Sequence, residues 1–202
     1  MDKKKKIVRL TTAGESLDDL LIGQLKYLNQ YFDIIAVAKD DGRLQKVRKR
    51  EGVRVVDAPI ERPISLLKDI IALRWLINFF KQEKPWCVHA NTPKGSLLAM
   101  VAAWICRVQH RIYTVTGLRY QGATGKFKFV LQTMERITCA CATKVIPEGQ
   151  GVLKTLKNDH ITNKPLEVIL NGNINGKDTS FFSVESLYEN CELENGNKRL
   201  SI

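Results

Sequence analysis

Short apolar segments alternate with helix-patterned segments along most of this chain, and that alternation leaves few folds open. Ile7 to Thr11, Asp33 to Ala38, Val53 to Asp57, Trp86 to Ala90, Arg111 to Val115, Lys144 to Pro147 and Glu167 to Leu170 each read as a strand. Between them lie helical patterns. Leu17, Leu20, Leu21, Leu25 and Leu28 follow a capping Ser16; Gly42 to Glu51 is charged; a long apolar helix is capped by Ser65 and ended by Pro85. Pro93 starts the next helix, and Gly125 to Ala142 and Glu148 to Lys157 supply two more. The spacing predicts an α/β fold, a Rossmann-like doubly wound parallel sheet with right-handed crossovers.

Hydrophobic residues at 44% and charged residues at 26% exclude disorder throughout and suit a chain with a sizeable core. The net charge of +11 belongs to the part before Gly151, because acidic residues slightly outnumber basic ones beyond it. Such a field favours phosphate, nucleic acid or an anionic membrane surface, or serves solubility alone. Nucleic acid is not expected, since exposed aromatics for stacking are too few. The longest apolar run, Leu97 to Cys106, is well short of the ~20 residues of a membrane span, so any membrane contact is expected to be peripheral. No apolar signal segment follows the first strand. Cys87, Cys106, Cys139, Cys141 and Cys191 are odd in number and form no C-x2-C pair, so reduced thiols in a cytoplasmic setting are expected, with no metal site.

Ligands of such sheets bind outside the carboxyl ends of the strands. The candidate site is therefore Thr12 to Glu15, His89 to Lys94, Thr116 to Thr124 and Pro147 to Gly149. Asn91 or Thr92 can cap the helix at Pro93, and its free N–H groups with Lys94 form either an anion pocket or merely a capped helix start. His89 stands at a strand end as a base, a hydrogen-bonding group or a structural residue. The glycine-rich loop Thr114 to Gly125 is long for its position, and every charged residue from Arg107 through Met134 is basic, which favours an anionic ligand. In the following helix Phe127, Val130, Leu131, Met134 and Ile137 read as the core face. Phe129 is left outside near Lys126 and Arg136, for a membrane surface or for a covering loop. Neither G-x-G-x-x-G nor a P-loop is present, which removes the main support for a dinucleotide-dependent oxidoreductase.

Five segments in order resemble a known family: Leu20-Leu21-Ile22-Gly23-Gln24-Leu25, His89-Ala90-Asn91-Thr92-Pro93-Lys94-Gly95, Tyr113 to Leu118, Cys141 to Pro147, and Asn171-Gly172-Asn173-Ile174-Asn175-Gly176-Lys177-Asp178. They look like the N-terminal half of family-4 glycosyltransferases, GT-B enzymes that build bacterial surface polysaccharides such as capsule or lipopolysaccharide. The last segment resembles the N-G-S-x-N-G-[VI]-D hinge of that family, with Lys177 in place of an aliphatic residue.

The resemblance implies residues 1–170 as a Rossmann-like domain, 171–182 as an interdomain hinge and 183–202 as a linker or tail. It implies a lipid-linked or glycan acceptor bound by Gly14, Gln24, Asn91, Thr92, Lys94, Gly117 and Arg119. His89 and Thr116 are the implied catalytic positions, although relatives carry His-x-His where this chain has His89-Ala90-Asn91, and T-V-H-G where it has Thr114 to Gly117. Lys126, Lys128, Phe129 and Arg136 would contact an anionic membrane, placing the chain on the inner face of the cell membrane. No E-x7-E pair occurs. The nucleotide-sugar donor is therefore expected on a missing C-terminal domain or a separate donor-binding subunit, with no other cofactor. The alternative is a non-catalytic membrane-docking subunit paired with such a chain.

Overall fold

The computed structural model describes residues 4–176. Six strands run parallel in the order β3-β2-β1-β4-β5-β6: β1 (Lys6–Ala13), β2 (Asp33–Lys39), β3 (Arg54–Asp57), β4 (Cys87–Ala90), β5 (His110–Val115) and β6 (Lys144–Pro147). The helices are α1 (Gly14–Leu20), α2 (Gln24–Asn29), α3 (Leu44–Glu51), α4 (Leu66–Glu83), α5 (Pro93–Ile105), α6 (Gly125–Cys141) and α7 (Gln150–Asn158), with a 3-10 turn at Arg119–Gly122. The expected doubly wound sheet is the fold found. Its order reverses between β1 and β4, the switch point where such sheets bind ligands.

Alternation along the strands feeds two cores. Val8 and Leu10 of β1, Ile35 and Val37 of β2, and Val88 and Ala90 of β4 join Leu76, Phe80, Leu98 and Leu131 on the side of α4, α5 and α6. Ile7, Ile34, Ala36 and Cys87 join Leu17, Leu21, Leu25 and Val47 on the side of α1, α2 and α3. Each fully buried leucine here contributes about 1.5–3 kcal/mol. On the second side the row Arg9, His89 and Thr114 interrupts the apolar pattern near the strand ends. The β1 and β4 register pairs Arg9 with His89.

Four local expectations differ from the fold. The leucines Leu17 to Leu28 do not form one helix: α1 ends at Leu20, Gly23 takes a left-handed backbone, and α2 starts at Gln24. The break is fixed from α3, where the buried Glu51 carboxylate accepts the N–H groups of Gly23 and Lys26, both at 3.0 Å. Ser16 lies inside α1 and is not its cap; the Asp41 carboxylate accepts the Glu15 N–H instead, at 2.8 Å. Ser65 stands at the N-cap of α4, but its side chain makes no capping bond, and Asp69 reaches back to the Ser65 N–H. Glu167 to Leu170 is not a strand. Lys164 ties the chain after α7 to carbonyls at the end of α6, and Ile169 and Leu170 turn over the strand ends.

Candidate functional site

At the carboxyl ends of β1, β4, β5 and β6 lies a cavity of about 590 Å³, lined by Arg9, Gln24, His89, Thr114, Glu148 and the crossing segment 169–176. Arg9 is fully buried. It donates to the His89 carbonyl at 3.3 Å and to Gln24 Oε1 at 3.0 Å. Because an arginine only donates, the Gln24 amide is oriented: its Nε2 faces the other way and donates to the Ile174 carbonyl at 3.1 Å and to Asn175 Oδ1 at 3.3 Å. Burial lowers the Arg9 pKa to about 10, which leaves it charged at neutral pH.

His89 Nε2 shares a hydrogen bond of 2.8 Å with Thr114 Oγ1. Burial first, and then the Arg9 charge, hold its pKa well below the ordinary value, so the ring is a neutral imidazole at physiological pH. Across the cavity, burial raises the Glu148 carboxyl above its ordinary range, against a backbone N–H from Ile174 that lowers it. The crossing segment is seated by backbone contacts: Asn173 N–H donates to the Glu148 carbonyl at 2.7 Å, and Asn175 Nδ2 donates to the Ile22 carbonyl at 2.8 Å. Gly172 has φ of 84°, and a Cβ there would stand 2.4 Å from the Glu148 carbonyl oxygen. Only glycine fits this crossing.

The start of α5 is wired differently from expectation. Neither Asn91 nor Thr92 caps it with a side chain. Thr12 Oγ1, at the end of β1, accepts the Gly95 N–H at 3.0 Å, while Thr92 Oγ1 accepts the Thr12 N–H at 2.8 Å. The two hydroxyls bond each other at 2.8 Å. Lys94 is buried, bonds the Pro63 carbonyl, and pairs with Asp69 at 2.6 Å, so its charge is compensated inside the protein. Asn91 is fully buried with both side-chain polar atoms unpartnered, and its carbonyl accepts Thr116 Oγ1 at 2.8 Å. The structure therefore groups Gln24 with His89 in the cavity, while Thr92 bonds Thr12 and Thr116 bonds the Asn91 carbonyl, all outside the cavity lining.

Gly14 opens α1 hard against Asp41, beside a second cleft of about 490 Å³ lined by Thr12, Glu15, Lys39, Arg43 and Arg62. Gly117 is half-buried, and Arg119 is exposed at a narrow groove shared with Ile64, Pro93 and Tyr120.

The outer surface of α6 also departs from expectation. Its buried residues are Leu131, Glu135, Thr138 and Cys139, whereas Phe127, Val130 and Ile137, assigned to the core, are exposed together with Phe129. Lys126 and Lys128 are exposed beside them. Arg136 instead turns toward α7 and donates to the Asp159 carbonyl at 3.2 Å. Sequence reasoning missed the first turns of α4, where Leu66 (79%) and Leu67 (77%) are almost fully exposed, with Ile70 and Ile71 beside them. α4 and α6 both pack on α5. Ile64, just before α4, and Leu131, Met134 and Thr138 of α6 line the groove at Pro93 and Arg119.

Arg9 and Glu148 were missed as individual residues. A charge inside the apolar run Ile7 to Leu10 was the available signal for Arg9. Among the described residues no group of three or more His, Cys, Asp or Glu side chains is placed to hold a metal ion, and no helix is long and apolar enough to cross a membrane.

Residues 28–172 match the family model of the glycosyl transferase 4-like domain. The chain is 36% identical over 160 residues to the capsular polysaccharide biosynthesis glycosyltransferase CapM of Staphylococcus aureus, covering 79% of this chain and 40% of that protein. It is 32% identical over 120 residues to the UDP-Gal:alpha-D-GlcNAc-diphosphoundecaprenol alpha-1,3-galactosyltransferase of Escherichia coli, covering 58% and 31%. The chain thus spans less than half the length of these curated relatives. Among solved structures, Anabaena HepE in complex with UDP and glucose superposes with a TM-score of 0.65 at 18% identity, covering 98% of this chain and 54% of that one. MurG of Acinetobacter baumannii superposes with a TM-score of 0.57 at 13% identity, covering 87% and 47%. These likenesses place the fold as one Rossmann-like layer of the GT-B kind.

Proposed function

The chain belongs to the glycosyl transferase 4-like family, and from that premise we propose that it is the acceptor-binding half of a sugar transferase acting at a membrane surface. The acceptor is a lipid-linked sugar or growing polysaccharide. The donor is a nucleotide sugar, held by a further domain or a separate chain that closes over the carboxyl ends of the strands. One observation carries this reading: the first turns of α4 and of α6 each expose apolar side chains beside lysines, and the groove at Pro93 and Arg119 is lined by Ile64, just before α4, and by Leu131, Met134 and Thr138 of α6. Isoleucine, leucine and phenylalanine beside lysines suit insertion at an anionic lipid interface, peripheral on the inner face of the cell membrane. An acceptor anchored there by its lipid enters the strand-end region from the side, with Arg119 at the rim.

In this reading His89, held neutral, and Thr116 after the neighbouring strand orient an acceptor hydroxyl. The buried Lys94 contributes structure rather than a free cation. The test is transfer of radiolabelled sugar from nucleotide sugars to a membrane lipid extract, by the chain alone and with a donor-binding domain supplied. Transfer is expected only in the second case. Robust transfer by the chain alone would overturn the division of labour. A partner that transfers sugar equally well without this chain would favour a docking subunit instead.

A further inference from the structure

The cavity at the switch point contains a charge for which the described residues supply no counter-charge. Arg9 has five N–H donors, and its bonds go to two neutral acceptors, the His89 carbonyl and the Gln24 amide oxygen. Its Nε is buried with no partner at all. Among the described residues no carboxylate comes within salt-bridge distance of it. The other fully buried cation, Lys94, pairs with Asp69, and the half-buried Arg50 pairs with Asp18 and Glu51. Arg111, Arg136 and Lys164 bond only carbonyls, but each keeps part of its surface in water, which Arg9 does not. Burying an unpaired cation costs several kcal/mol, so a guanidinium in this state is a receptor awaiting an anion.

The surroundings say what the anion is. The lining offers the neutral polar side chains of Gln24, Thr114, Asn173 and Asn175, with Glu148 as the acid of the β6 end. A guanidinium fork with amide and hydroxyl donors matches the several oxygens of a phosphate better than a single carboxylate. We propose that Arg9 is the anion receptor of this cavity, binding the phosphate oxygens of a phosphate or diphosphate ester that displaces Gln24 from Nη2 and satisfies Nε. Gln24 is then the gate. It bridges Arg9 to the crossing segment through Ile174 and Asn175, so an anion that takes Nη2 releases the Oε1 end that orients this amide toward the segment. The site stands on its own geometry, and only the choice between two phosphate sources rests on the transferase reading.

The test is calorimetric titration of the full chain with inorganic pyrophosphate, UDP and farnesyl diphosphate, with folding of each variant checked by circular dichroism. Pyrophosphate is expected to bind the wild type. Arg9→Met is expected to weaken it about ten- to a hundredfold, as loss of charge-assisted hydrogen bonds dictates. Arg9→Lys keeps the charge without the fork, is the safer variant for folding, and is expected to fall between. Arg54→Met, on the far edge strand, serves as the control and is expected to bind like wild type. Tighter binding of UDP assigns the site to the donor's diphosphate, and tighter binding of farnesyl diphosphate assigns it to a lipid-linked acceptor. No binding by the wild type, or unchanged affinity in both folded Arg9 variants, overturns the proposal. Binding without transfer in the donor-domain assay leaves this site standing and sinks the transferase reading alone.

Discussion

A methyl group at Gly95 would stand 2.8 Å from Thr92 Oγ1 and 3.0 Å from both the amide and the hydroxyl of Thr12. Those are the atoms that join β1 to the start of α5, so Gly95→Ala is expected to cost about 1–3 kcal/mol and lower the thermal midpoint by several degrees. A smaller loss in thermal unfolding would show that the joint can yield. Glu135 makes a second prediction at this scale. Burial raises its pKa to about 7, although Tyr113 donates to it at 2.7 Å. Between the ordinary carboxyl value and about 7 the folded chain holds a proton that the unfolded chain has released, so stability falls as pH rises through that window. Glu135→Gln keeps the Tyr113 bond and is expected to abolish this decline, raising stability at pH 8 by roughly 1–3 kcal/mol in denaturant titrations. Arg9 was visible in the sequence as a charge inside an apolar strand. That it lacks a counter-charge was not, because such a lack depends on every element around it.

At the scale of elements, the sequence showed where helices exist and misjudged which faces they bury. A capping carboxylate from Glu51 splits the leucine-rich segment into α1 and α2, and no local pattern carries a contact to α3. In α6 the apolar residues outnumber the places on the buried face, so periodicity assigned Phe127, Val130 and Ile137 inward when they lie outside. The same excess on α4 leaves Leu66, Leu67, Ile70 and Ile71 in solvent. Leu67→Asp with Ile70→Asp is expected to abolish co-sedimentation with vesicles of anionic phospholipid, with little change in thermal midpoint, since neither residue is buried. Lys126→Glu with Lys128→Glu should weaken binding mainly at low salt, by about 1 kcal/mol per lysine removed. Retained binding in both variants would place the membrane contact elsewhere.

For the molecule as a whole, alternation and strand length were enough to give the doubly wound sheet, and the order of motifs was enough to give its family. What escaped was the path after α7, because Glu167 to Leu170 has the composition of a strand while Lys164 holds the chain away from the ladder. Fusion of a donor-binding domain after the described residues is expected to confer sugar transfer that responds to Gln24→Leu, since this removes the amide linking Arg9 to the crossing segment. Transfer unaffected by that change would show the link to be incidental.

The outermost strands, β3 and β6, are four residues each. The first begins at Arg54 and ends at Asp57, and the second begins at Lys144 and ends at Pro147. Short, charge-flanked or proline-ended borders of this kind refuse another strand. Edge-to-edge widening of the described sheet is disfavoured at both borders. The end where the strands open is left as the face for a donor-binding domain, which is therefore expected at the mouth of the cavity.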